Sequence, residues 1–146
     1  MPYTVLAAGA ISIWRALETH GCNAREVFAR AGLDRRRIED PNARYPDKCV
    51  YRLWRLAVEA TNNPLFGLEV AREWHPSGAH ALGYAWLASS TLRDAFGRLV
   101  CYHRVLSDKE WVSLDEGLTE TCFVIENPSS DHPTAPEASA CRCAGS

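Results

Sequence analysis

Cys101 and His103 are of the residue types that serve as nucleophile and general base in many hydrolases. They lie two positions apart on a predicted helix, so their side chains point to different faces and cannot pair as neighbours. The sequence also contains no nucleophile elbow, phosphate-binding loop, zinc-protease helix or dinucleotide fingerprint. We therefore predict that the chain is not an enzyme, with a small hydrolase as the weakest of the alternatives.

Histidines and cysteines could instead hold a metal ion. His75 and His80 flank a proline and a glycine, but no acid or cysteine stands at ligand spacing beside them. Cys141 and Cys143 are one residue apart and have no second pair, unlike the ligands of a zinc site. The other cysteines are scattered, which is typical of buried free thiols. The sequence predicts no metal site and no cofactor.

A third possibility is a pocket for a small molecule, since such pockets are mostly apolar and aromatic with a few polar anchors. The candidate lining residues are Arg44, Trp54, Tyr84, Trp86, Tyr102 and His103. The guanidinium of Arg44 could bind a carboxylate, and His103 interrupts an apolar stripe, where a polar group needs a partner. The alternatives are a surface arginine, ordinary core aromatics and a core histidine with an internal hydrogen bond.

Amphipathic helices must position these residues, because apolar positions recur at helical spacing as far as residue 106. Asn23 and Thr91 stand where a helix N-cap is expected. The clearest helical stripe is formed by Val50, Leu53, Trp54, Ala57 and Val58. The predicted helices cover about residues 6–20, 24–31, 47–61, 64–74, 79–89 and 92–106, with one helical turn at 33–38 and an extended stretch at 40–46.

The pattern changes to alternation after residue 110. Residues 111–114 and 118–125 are predicted as strands of a hairpin with a turn at 115–117. A lone hairpin is marginal in water, so it needs the helices or another strand as a partner. The second strand would otherwise expose an unpaired edge.

The last residues differ from the rest of the chain in composition. From Pro128 onward the sequence holds three of the eight prolines and no large aliphatic or aromatic side chain, which is typical of disorder. The predicted fold class is therefore mainly α (α+β), with about six amphipathic helices followed by a β-hairpin. The predicted domain covers residues 1–127 and the disordered tail covers residues 128–146.

Length and charge exclude further classes. A chain of 146 residues fits one domain, and a net charge of −2 lacks the basic excess of a DNA-binding domain. The apolar run at residues 5–14 has no preceding lysine or arginine and is shorter than a membrane span. We predict a cytoplasmic protein that binds neither DNA nor a membrane directly.

An ordered series of segments resembles a known family. The segments are residues 43–46 (ARYP), 51–57 (YRLWRLA), 61–68 (TNNPLFGL), 78–95 (GAHALGYAWLASSTLRDA) and 102–108 (YHRVLSD). Together they are similar to the arabinose-binding-like amino-terminal domain of AraC/XylS-family transcription regulators. The resemblance spans about residues 15–126.

The resemblance implies a domain that senses a small effector and often dimerises, while a separate domain of the family reads DNA. The six candidate residues would then contact the effector. The chain departs from the family plan after about residue 127, so we interpret it as a sensor domain truncated before its helix-turn-helix domain. Its expected partners are the effector and either a second copy or a full-length homologue. An alternative function is pairing with intact regulators without any ligand.

Overall fold

A computed structural model describes residues 3–117 and 119–126, and the backbone of residues 142 and 143. In this part of the chain the α-helices are α1 (Ile11–Thr19), α2 (Ala24–Ala31), α3 (Asp47–Thr61), α4 (Phe66–Arg72), α5 (His80–Leu87) and α6 (Leu92–Tyr102). The strands are β1 (Thr4–Leu6), β2 (Arg44–Pro46), β3 (Trp111–Glu116), β4 (Thr121–Glu126) and β5 (Arg142–Cys143). Short 3-10 helices occupy Ala7–Ala10, Arg35–Glu39, Pro76–Ala79 and His103–Val105. The predicted class, mainly α with a β-hairpin, is confirmed.

Several helix ends follow local sequence signals. The side chain of Asn23 accepts a hydrogen bond from the Glu26 amide at 3.3 Å, and that of Thr91 accepts one from the Asp94 amide at 3.1 Å. Both predicted caps are therefore confirmed, because each satisfies an amide that the first helical turn leaves unpaired. Helix α2 ends at Gly32, whose φ of 79° is a left-handed conformation that glycine adopts without strain.

Four predicted helices are shorter in the structure, and the fifth covers His80–Leu87 in place of 79–89. The first begins at Ile11 and not at residue 6, because Leu6 ends strand β1 and pairs with Arg44. The fourth begins at Phe66 and not at residue 64, because the side chain of Asn63 accepts the Leu65 amide at 2.9 Å and forms a turn. Helix α6 ends at Tyr102, and the chain continues to residue 105 as a 3-10 helix.

The main core lies between helices α1, α2, α3 and α4. Its most deeply buried large side chains are Leu17, Phe28, Tyr45, Leu53 and Phe66. The rings of Trp14 and Phe28 meet edge to face with centroids 5.1 Å apart, an arrangement that adds to the energy of burial. The predicted apolar stripes of these helices therefore pack against one another.

A second apolar layer joins helices α5 and α6 to the hairpin. Phe96 of α6 lies between Trp86 of α5 and Phe123 of β4, with ring centroids 5.1 and 4.7 Å away. Phe123 is buried, and Arg93 of α6 also donates to Glu116 of β3 at 2.6 Å through Nε. The hairpin thus obtains the helical partner that the sequence analysis required of it.

The hairpin has the two predicted strands, but its first strand is longer, its second strand is shorter and its turn lies later in the sequence. Strand β3 runs through Glu116, and the amide of Gly117 donates to the carbonyl of Glu120 at 2.9 Å, so the predicted turn at 115–117 is wrong by about two residues. Strand β4 is the middle strand, since Thr121 and Cys122 also pair with β5. The expectation of a fully unpaired edge is wrong at those two positions. Residues 142 and 143 form β5, and the remainder of the predicted tail lies outside the described residues.

Strand β1 connects the two layers through a group that we call the β1 clasp (Thr4, Arg44, Val105 and Asp108). The carboxylate of Asp108 accepts from the backbone amide of Thr4 at 2.6 Å and from its hydroxyl at 2.9 Å. Arg44 donates to the Thr4 hydroxyl at 2.7 Å and to the carbonyl of Val105 at 2.9 Å. The clasp therefore attaches the segment that follows α6 to the small β1–β2 sheet.

Candidate functional site

An apolar pocket of about 410 Å³ lies beside α5. Its lining comes from the loop after α4, the 3-10 helix Pro76–Ala79, helices α5 and α6, and the residue that follows the last 3-10 helix. The lining residues are Trp74, Ala79, Leu82, Gly83, Trp86, Leu99 and Leu106. A concave apolar site of this size is typical of small-molecule pockets, which span roughly 300–1,000 Å³.

One wall of the pocket depends on a close backbone approach. A Cβ atom built on Gly83 would lie 2.2 Å from the carbonyl oxygen of Pro76. Glycine is therefore the residue type that lets α5 reach the 3-10 helix at this point. His75 caps that 3-10 helix by accepting the Ser77 amide at 3.3 Å, which holds Pro76 in place.

Trp86, one turn along α5 from Gly83, is held by an aromatic contact. Trp86 meets Phe96 at an interplanar angle of 79°, so the indole is fixed edge to face against α6. Leu99, one turn further along α6, continues the same wall. Because these residues lie on packed helices, the pocket is formed before any molecule enters it.

The lining is almost free of polar groups. Among the described lining residues, the only side-chain atoms able to form conventional hydrogen bonds are the indole N–H groups of Trp74 and Trp86, and these donate only. One polar atom in this region is unusual, since Nε2 of His80 is buried without a hydrogen-bond partner. His80 begins α5 directly after the lining residue Ala79.

The structure places one of the six predicted site residues, Trp86, in the pocket lining. Trp54 packs against Phe66 of the main core, with ring centroids 6.3 Å apart. Tyr84 and Tyr102 are 55% and 60% exposed on the surface. The six residues therefore do not converge on one site.

The two predicted polar anchors have partners within the protein. Arg44 belongs to the β1 clasp and donates to Thr4 and Val105. His103 lies 2.8 Å from the carbonyl oxygen of Val100 through Nδ1. Since a carbonyl oxygen only accepts, Nδ1 carries the proton and donates in this bond.

The other lining residues were not singled out from the sequence. Leu99 and Leu106 belong to the predicted stripe of the sixth helix, and Leu82 to that of the fifth, so each could only be recognised as apolar and inward-facing. Gly83 gave a clearer signal, because a glycine inside a helix is unfavourable and often has a packing reason.

Three residues after Leu106, a buried ion pair attaches the chain to α3. The ammonium of Lys109 lies 2.9 Å from a carboxylate oxygen of Asp47, and the lysine side chain is only 7% exposed. Burial and the nearby Asp47 carboxylate raise the pKa of Glu110. For Asp108 burial alone would raise the pKa, but the hydrogen bonds from Thr4 and the charge of Arg44 outweigh it, and the net pKa is lowered.

The raised pKa of Glu110 predicts a pH-dependent effect of Glu110→Gln. A carboxyl group whose pKa is higher in the folded state favours folding below its unfolded pKa of about 4.3 and loses that contribution as the pH rises through the folded value. The variant should therefore be more stable than the wild type at pH 7 by a fraction of a kcal/mol, and equally stable near pH 3. Urea unfolding at both pH values checks this, and an equal difference at both would contradict it.

Cys22, Cys49, Cys101 and Cys122 are free thiols, as predicted. The expectation of burial is wrong for Cys101, which is exposed, and the other three are only partly buried. Cys101 lies on α6 outside the apolar stripe that packs inward. Within the described residues, no three histidine, cysteine or acidic side chains lie close enough together to hold a metal ion. None of the helices in that part combines the length and apolar character that crossing a bilayer requires.

The model of one protein family matches most of the chain. It is the arabinose-binding N-terminal domain of AraC transcription regulators, and the match covers residues 21–145. The chain belongs to the AraC arabinose-binding domain family. No curated protein sequence gives a significant match to it.

Membership of this family confirms the resemblance found in the sequence. The AraC match covers residues 21–145, so the prediction that the chain departs from the family after about residue 127 is wrong. The family model describes a ligand-binding domain of transcription regulators. The chain is accordingly a ligand-sensing domain of the AraC type.

Proposed function

We propose that this AraC-type domain senses a small-molecule effector in the pocket beside α5. The observation that supports the proposal most directly is the preformed apolar cavity of about 410 Å³ between α5, α6 and the Pro76–Ala79 segment. The six residues selected from the sequence contribute Trp86 to this site, and the pocket lining replaces the other five as our proposed effector contacts. The proposed location of the domain is the cytoplasm, and its net charge of −2 favours a partner that is not DNA.

The segment that follows Leu106 connects the pocket to strand β1 and helix α3. Leu106 lines it, and the next residue, Ser107, forms a bridge with Val5 of strand β1. Asp108 and Lys109 then bind Thr4 and Asp47. A molecule that shifts Leu106 would therefore act on the attachment of β1 and α3, which is how occupancy could be communicated to a neighbouring domain or subunit.

Ligand-dependent stabilisation tests the proposal. A compound that binds only the folded state at a hundredfold excess over its Kd raises the free energy of unfolding by about 2.7 kcal/mol. We expect at least one member of a small-metabolite library to raise the Tm of the wild type by roughly 5–10 °C. The variant Leu99→Trp, which fills the pocket, should lose this response.

A matched control is available on α4. Leu68 is 59% exposed and lies outside the pocket lining, so Leu68→Trp should keep the full response. A library that leaves the wild type unchanged, or a hit that stabilises Leu99→Trp as strongly as the wild type, counts against an effector site at this position.

We propose dimerisation as a second function of the same domain, supported by an exposed apolar surface near α5. Tyr84, Leu87 and Leu92 are each more than half exposed, and single exposed apolar residues are common whereas clusters often mark interaction sites. The partner would be a second copy or, in the alternative function, an intact homologous regulator.

Association is expected to depend on Leu87. Replacing it with glutamate places a charge where the dimer would bury an apolar side chain, so Leu87→Glu should be monomeric at concentrations where the wild type is dimeric. Light scattering measures the molar mass of both variants, and the control Leu68→Glu should remain dimeric because Leu68 lies on α4, away from the proposed surface. A wild-type chain that stays strictly monomeric and does not bind a full-length homologue removes this second function.

A further inference from the structure

Building on the proposed function, we propose that the effector of this domain is a neutral, predominantly apolar small molecule and not a sugar. The inference rests on the chemistry of the pocket beside α5. Its described lining consists of two tryptophans, three leucines, an alanine and a glycine. A volume of about 410 Å³ fits a compact aromatic or short-chain aliphatic compound.

A sugar does not suit this lining. Each hydroxyl group of a pentose both donates and accepts hydrogen bonds, and a buried hydroxyl without partners costs free energy that binding must offset. The described lining offers no side-chain acceptor, and its only side-chain donors are the indole N–H groups of Trp74 and Trp86. Arabinose would therefore gain few hydrogen bonds from the side chains of this lining.

A charged molecule is disfavoured for a second reason. The cations nearest to Leu106 along the chain have partners, since Lys109 binds Asp47 and Arg104 lies over the ring of Trp111. Arg44, which the sequence offered as a carboxylate anchor, is engaged by Thr4 and Val105. These three cations are therefore already engaged and are not free to bind a ligand carboxylate.

An apolar molecule has neither hydroxyl groups that need hydrogen-bond partners nor a charge that needs a counter-charge. It would exchange water for contact with indole and leucine side chains, which is favourable in proportion to the apolar area removed from water. The wall that Trp86 forms is already fixed by Phe96, so little side-chain ordering remains to be done on binding.

Fluorine NMR of the full chain labelled with 5-fluorotryptophan tests the ligand class. The sequence has five tryptophans, and single Trp→Phe substitutions assign their signals. Titration with 1-naphthol or 1-octanol should shift the signals of Trp74 and Trp86 saturably. The signals of Trp14 and Trp54, which pack in the main core, should not move. L-Arabinose at millimolar concentration should shift none of them.

A pair of variants makes the test specific to the pocket. Leu99→Asp should weaken 1-naphthol binding by at least roughly tenfold, because it places a carboxylate in the lining. Leu68→Asp, on the exposed side of α4, should leave binding unchanged. Unmoved Trp14 and Trp54 signals verify that each variant is folded, and Leu99→Trp replaces Leu99→Asp if they move.

The outcomes separate the ligand class from the proposed function. If L-arabinose shifts Trp74 and Trp86 while the apolar probes do not, the pocket remains the effector site and the apolar class is overturned. If neither kind of probe shifts these two signals, the apolar class is overturned as well. If a compound that stabilises the chain leaves both signals in place, the effector site lies elsewhere and the proposed function fails with it.

Discussion

Replacing Gly83 with alanine is expected to lower the free energy of unfolding by about 3 kcal/mol. Helix propensity alone predicts the opposite sign, since alanine is favoured over glycine by about 1 kcal/mol inside a helix. The added methyl group would, however, lie 2.2 Å from the carbonyl oxygen of Pro76 and 2.8 Å from its carbonyl carbon. The neighbour is backbone and cannot rotate away, so α5 or the Pro76–Ala79 segment must move.

A glycine on the next helix provides the control. A Cβ atom on Gly97 of α6 would meet nothing within 4 Å, so Gly97→Ala should be neutral or stabilising by up to about 1 kcal/mol. Urea unfolding followed by circular dichroism measures both variants. Equal effects of the two substitutions would show that the contact between α5 and Pro76 is looser than described. Because Gly83 lines the pocket, Gly83→Ala should also weaken effector binding.

Replacing Lys109 with alanine is expected to destabilise the fold by about 3 kcal/mol. The variant leaves the carboxylate of Asp47 without its partner at 2.9 Å. It also removes the positive charge that opposes the rise in the pKa of Glu110. Two carboxylates would then face each other in a partly buried setting, where desolvation makes the repulsion costly.

A double-mutant cycle isolates the ion pair from lost packing. Asp47→Asn should also destabilise the fold, because it leaves the buried ammonium of Lys109 without its counter-charge. If the pair interacts as described, the double variant should be more stable than the sum of the two single effects predicts. Strictly additive values from urea titrations at pH 7 would indicate that the two side chains do not interact in solution. Lowering the pH should rescue Lys109→Ala, since protonation of Glu110 removes the repulsion.

Lys109 of the ion pair lies close in sequence to the pocket, so the stability of this pair should affect ligand binding. Leu106 lines the pocket and Lys109 lies three residues further on, with the bridging residue Ser107 between them. A destabilised Lys109 segment should therefore reduce effector affinity as well as global stability. The measurement is the rise in Tm that an effector causes in Lys109→Ala, which should be smaller than the rise in the wild type.

Helices whose signals are local could be predicted from the sequence. Helix α3 was placed at residues 47–61, the bounds that the structure has, because its stripe of apolar residues repeats at helical spacing. The caps at Asn23 and Thr91 were also predicted, since capping depends on residues within one turn. Strand β1 was missed because its partner β2 lies far along the chain, and a three-residue strand has no period of its own.

The pocket could not be predicted in the same way. Its lining comes from residues between Trp74 and Leu106 on several elements, and each of them is merely apolar when considered alone. Trp86 was included among the candidates because it is aromatic, but Tyr84, two positions earlier on the same helix, points to solvent instead. Residues two apart on a helix face different directions, and only packing decides which direction is the interior.

The sequence by itself determined the helical class and the family, because these follow from periodicity and an ordered series of local motifs. The tertiary structure alone decided which apolar residues enclose a cavity and which polar residues are already paired. Arg44 and His103 illustrate the difference, since their partners Thr4, Val105 and Val100 become visible only in the folded chain. The physical reason is that burial and hydrogen-bond pairing depend on contacts between distant segments, whereas helix formation depends mainly on neighbours within one or two turns.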